Sequence, residues 1–73
     1  MGMKKEKHEL YTYQVFWSDA DNEFVGTCVE FPGLSHLESV MEDALSGIVD
    51  LVKYVLIDMA ENNEPIPIPS RAQ

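Results

Sequence analysis

The sequence predicts an α+β fold of order β-β-β-α-β, a small, mainly antiparallel sheet with one long helix packed on one face. Three patterns in the 73 residues predict it. An aromatic and β-branched run alternates with period two over residues 10–17, turn chemistry divides residues 18–37 into short extended pieces, and apolar residues recur with helical spacing from Met41 to Met59.

Within the first strand, Tyr11, Tyr13, Val15 and Trp17 share one face and Leu10, Thr12, Gln14 and Phe16 the other, because successive side chains alternate. Residues 18–22, Ser-Asp-Ala-Asp-Asn, are short and polar and suit a hairpin tip; strand character resumes over 23–31. In Phe31-Pro32-Gly33-Leu34, Pro at the second position and Gly at the third predict a type II turn, then a short third strand over 34–37.

Ser39 and Glu42 have capping-box spacing, so the helix is expected over 40–62 with Met41, Ala44, Leu45, Ile48, Val52, Val55, Leu56 and Met59 as its apolar stripe. Gly47 lies off that stripe, tolerated or marking a close approach, and Asn62-Asn63 suit a left-handed helix end. In the segment 64–70, Pro65, Pro67 and Pro69 remove amide donors from one side only, which suits an edge strand with Ile66 and Ile68 facing the helix; a polyproline tail is the alternative. The expected organisation is a mobile leader at 1–8, one domain at 9–70 and a tail at 71–73.

Charge is the most informative part of the composition. The net charge is −8, but three of the five basic residues, Lys4, Lys5 and Lys7, stand in the leader, and Arg71 stands in the tail. Between residues 8 and 70, twelve acids face Lys53 alone, a net of −11. Such a field repels nucleic-acid backbones and speeds encounter with a basic partner. No apolar run approaches the ~20 residues that span a bilayer, and no apolar stretch follows the early lysines as in a secretory signal, so a cytoplasmic protein is expected. Gly2 does not complete a myristoylation motif, since Glu6 stands where Ser or Thr is needed.

Candidate chemistry is sparse. His8 and His36 are the two histidines, and no Ser, Cys or Asp stands in a catalytic relation to either. Cys28, in a strand, is expected to be a small buried hydrophobe. Asp19, Asp21, Glu23 and Glu30 match the 1, 3, 5, 12 spacing of a calcium loop, but Phe24 occupies the position that needs Gly and the flanks are strands. No cofactor, metal or catalytic residue is therefore expected, and no enzyme. What remains is surface for protein: Tyr11, Tyr13, Trp17, Asp19, Asp21, Glu23 and Glu30 are the expected partner contacts, with Tyr54 and Ile57 as candidates for self-association in a homo-oligomer.

The run Tyr13-x-Val15-x-Trp17-Ser18, then Asp21-x-Glu23-Phe24-Val25-Gly26-Thr27-Cys28-x-Glu30-Phe31-Pro32-Gly33-Leu34-Ser35, then Glu42-x-Ala44-Leu45-x-Gly47-Ile48, resembles the amino-terminal domain of HicB-like antitoxins. The resemblance spans residues 11–69. It implies a partial ribonuclease-H-like unit whose role is to bind and mask HicA, a small basic ribonuclease toxin with a catalytic histidine. Many family members continue into a DNA-binding segment; this sequence stops at Gln73, so DNA autoregulation is not expected. The family's Gly-Asp-Thr-like approach to the helix is replaced by Leu37-Glu38-Ser39. The competing readings are a solitary HicB-like oligomeric binding module without a toxin, and a metal-dependent ribonuclease-H-like nuclease.

Overall fold

The computed structural model describes residues 7–70. It shows an α+β fold: three antiparallel strands, β1 (Tyr13–Ser18), β2 (Glu23–Cys28) and β3 (Ser35–Glu38), in the order β1-β2-β3, followed by one helix, α1 (Met41–Glu61), packed on one face. In the registers, Tyr13 lies opposite Cys28, Val15 opposite Gly26, Trp17 opposite Phe24 and Gly26 opposite His36. These residues face α1, because Gly26 lies against the Ala44 carbonyl and the Ile48 side chain. Gln14, Phe16, Val25, Thr27, Ser35 and Leu37 therefore face away from it.

The chain enters the sheet later than its alternation predicts. Lys7–Leu10, which spans the end of the expected leader and the expected start of the first strand, forms a 3-10 turn, held where the Tyr13 hydroxyl donates to the His8 carbonyl and Lys7 Nζ lies 5.9 Å from the Tyr11 ring centre. Residues 1–6 and 71–73 of the expected leader and tail lie outside the described residues.

The β1–β2 connection runs as its composition predicts. Ser18 Oγ donates to Asp21 Oδ2 and accepts from the Asp21 amide, while Asn22, at φ 55°, takes the left-handed conformation that Asn tolerates. The next turn is corrected in type. The Leu34 amide donates to the Phe31 carbonyl at 3.0 Å, so the chain reverses, but Gly33 does not adopt the positive φ of a type II turn and nothing crowds it.

The start of the helix also departs from expectation. Val40, extended at φ −116° and ψ 133°, is the N-cap, and it makes no side-chain capping bond; Ser39 lies one residue too early to serve. The other end follows the Asn pair. With Asn63 at φ 56°, its amide donates to the Ala60 carbonyl and the Glu64 amide to the Met59 carbonyl, the two bonds of a Schellman ending.

Beyond that ending, residues 64–70 form no strand, so the expected fourth strand is replaced by a strap across the end of the sheet. The Pro67 carbonyl accepts from the Tyr11 hydroxyl at 2.6 Å, and the Ser70 amide donates to Glu30 Oε2 at 2.7 Å. Ile66 packs against the core and Pro69 is buried, but Ile68 stays 79% exposed, so the two isoleucines do not share a buried face. Alternate prolines deny this segment half the donors a ladder needs, and the strap uses side-chain partners instead.

Tyr11, Cys28, Phe31, Ile48, Val52 and Leu56 form the core, with the Tyr11 and Phe31 rings tilted at 5.4 Å. Of the expected helical stripe, Ala44, Ile48, Val52 and Leu56 are buried, whereas Met41 and Leu45 stay half exposed on the flank of α1 opposite the side that faces β3. A Cβ added to Gly26 would overlap the Ala44 carbonyl, and one added to Gly47 would overlap the His36 ring. These two glycines let the helix settle close onto β2 and β3.

Candidate functional site

Helical spacing builds a groove. Asp43, Gly47, Asp50 and Tyr54 fall four, three and four residues apart, which puts them in one line along α1. That line runs beside β3, one of the two edge strands, and α1 and β3 enclose a groove of about 430 Å³ between His36 and Glu38 on one side and Asp43, Ser46, Gly47, Asp50, Leu51 and Tyr54 on the other.

His36 forms the floor, its ring lying over Gly47 and its Nε2 2.7 Å from Glu38 Oε2. Asp43 and Asp50 take no part in any ion pair among the described residues, and Tyr54 is 73% exposed. The groove thus offers three carboxylates along its length, with the aliphatic Leu51 and an aromatic ring towards one end, a set that suits cationic side chains with apolar stems. Among the described residues, no cluster of three or more His, Cys, Asp or Glu side chains is disposed to hold a metal ion.

The expected partner contacts do not form one site. Trp17, Asp19, Asp21 and Glu23 gather at the β1–β2 hairpin tip, where Trp17 Nε1 donates to Asp19 Oδ1 at 2.8 Å and the Trp17 ring meets Phe24 edge-on at 5.0 Å. Glu30 lies beyond the opposite end of β2, about 20 Å away at the rise of an extended strand. This separates the residues whose spacing imitates a calcium loop.

Tyr11 is corrected from a partner contact to part of the core, and Tyr13, half-buried, ties the 3-10 turn to the sheet. Tyr11 is 4% exposed, and both hydroxyls donate to backbone carbonyls. Burial raises both phenols, with the nearby Glu30 and Cys28 adding to the effect; Tyr13 is pushed up to about 12.

Glu30 is likewise a structural group. Its carboxylate accepts from the Thr12 amide at 2.9 Å, the Thr12 hydroxyl at 3.1 Å and the Ser70 amide. Desolvation raises its pKa, but the Thr12, Ser70 and Glu30 amides and the Ser70 hydroxyl outweigh that and hold it at about 2. Cys28 is 2% exposed, and burial pushes its thiol up, which makes it a core side chain and a poor nucleophile.

Tyr54 and Ile57 are exposed as expected, Ile57 at 50%. Ile57 lines a second, more apolar cleft of about 290 Å³ that also takes in Lys7 and Lys53, the two described lysines.

Glu38, Asp43 and Asp50 were visible in the sequence only as charges. The four-three-four spacing ending at Tyr54 could have marked the helical half of the groove; the half from β3 depends on a strand register that no local pattern encodes.

No family model, no curated protein and no solved structure matches this chain. Among the described residues, no helix is long and apolar enough to cross a membrane.

Proposed function

We propose that this chain is a non-catalytic, antitoxin-like binding domain that covers a small basic protein, of the HicA ribonuclease type, with the acidic groove between β3 and α1. The observation that carries the reading is that Glu38, Asp43 and Asp50 line one groove that ends at Tyr54, beside a strand edge whose outer side is unpaired. Desolvated cations of a partner find compensating carboxylates there, and an extended segment finds backbone partners. Masking needs no bond to form or break: a basic surface that must grip RNA phosphates is occupied by carboxylates instead. The motif resemblance over residues 11–69 names the partner class, and the net of −11 across residues 8–70 supports it.

Co-expression with the product of an adjacent reading frame encoding a short basic chain with a histidine tests the reading. A complex that co-purifies at low salt, dissociates as salt rises and silences that chain's RNA cleavage is expected. Failure to co-purify counts against it. RNA cleavage by the purified domain alone, lost on Asp19→Asn or Asp21→Asn, overturns it in favour of a nuclease.

A further inference from the structure

The face of the sheet turned away from α1 has a different character from the rest of the molecule. The registers place Gln14, Thr27 and Ser35 in one row across the three strands and Phe16, Val25 and Leu37 in the next. Phe16 is 49% and Leu37 38% exposed, with Val25 enclosed between them. Among the described acids, Glu23 at the end of β2 is the one the registers put on this face. Glu38, on β3, faces α1 with its register partner Phe24, and the others lie on α1 and just beyond it, at the hairpin tip, in the 3-10 turn or in the Glu30 clasp. The single helix that packs on the sheet lies on the other side.

We propose that this neutral face is where two copies of the chain meet, sheet stacked on sheet. Charge selects the occupant. A basic partner gains little from a face whose one acid, Glu23, stands at its rim, whereas two chains each carrying −11 over residues 8–70 repel one another wherever their helices approach. The neutral face lets them come within the roughly 10 Å of stacked sheets with the fewest like charges opposed. The competing ridge, Tyr54 and Ile57, is flanked by Asp50, Asp58 and Glu61 as well as by Lys53 and Lys7, so copies meeting there would oppose three carboxylates per chain that two lysines offset only in part. A two-fold arrangement makes the contact self-complementary: the apolar row of each copy meets that of the other, and each Glu23 falls over the polar row rather than over its counterpart. Three strands of four to six residues make a small interface, so the dimer is weak and forms in the micromolar range.

The proposal is independent of the basic partner, since it uses the opposite face and is tested on the chain alone. Sedimentation equilibrium of the full chain from micromolar to millimolar concentration is expected to show monomer passing to dimer, with association strengthened by added salt as net repulsion is screened. Phe16→Lys should hold the chain monomeric with its far-ultraviolet dichroism unchanged. If that variant unfolds, Leu37→Gln probes the same row, and amide chemical shifts of the unaltered chain, followed on dilution, should move at residues 14–16, 25–27 and 35–37. A chain that stays monomeric throughout, or dilution shifts confined to α1, overturns the proposal.

Discussion

Glu30 is the residue on which the strap and the sheet both depend. Its carboxylate joins the approach to β1, the turn after β2 and the C-terminal strap, so Glu30→Gln should destabilise the chain by about 1–2 kcal/mol, measured by urea denaturation. Its folded pKa lies below the ordinary carboxylate value of 4.5. The stabilisation is therefore fully present above 4.5 and drains away as pH falls from there towards about 2. Acid titration of stability should be steeper for the unaltered chain than for Glu30→Gln across that window; parallel curves would contradict this role. Gly26 acts through space rather than charge. Gly26→Ala sets a methyl group against the Ala44 carbonyl, which as backbone cannot move aside, and should cost about 1–3 kcal/mol. Neither role was legible in the sequence: Glu30 read as a surface acid and Gly26 as an ordinary strand residue, because both depend on contacts across many residues of chain.

The elements were legible to the degree that each is specified locally. Alternation placed residues 13–17 in β1 with their two faces correct but began the strand three residues early, and the i, i+3, i+4 stripe found α1 to within a residue at each end. The errors lie where two local signals competed. Ser39-x-x-Glu42 read as a capping box, yet the helix begins one residue later and leaves Val40 as an uncapped N-cap. Val40→Asp supplies the missing acceptor and a favourable charge at the helix start, and should raise stability by about 1 kcal/mol, read as an increased midpoint in thermal denaturation. No gain would mean that the first-turn amides are already satisfied. The proline alternation fitted both an edge strand and a tail; the outcome, a strap tied to Tyr11 and Glu30, needs partners contributed by the other end of the sheet. The partner residues scattered for a related reason: Trp17, Asp19 and Asp21 do sit together at a local turn, whereas Tyr11 and Glu30 were claimed by the fold.

Across the whole molecule, charge divides the surface into an acidic groove side and a neutral sheet face, and each has a distinct salt response. The free chain carries uncompensated like charges, so raising ionic strength from about 0.01 M to about 0.15 M, which shortens the screening length from about 30 Å to about 8 Å, should raise its melting temperature. The same change should weaken a complex held by the groove. These opposite signs separate net repulsion within the chain from attraction between chains. The most direct measurement is an NMR titration of the isotope-labelled chain with a small basic ribonuclease of the HicA type, repeated for Asp43→Asn with Asp50→Asn. Shifts centred on residues 36–38 and 43–54, with affinity reduced at least tenfold in the double variant and falling with salt, are the expected result. Shifts confined to the hairpin tip or the sheet face, or affinity indifferent to both carboxylates and salt, would contradict the account.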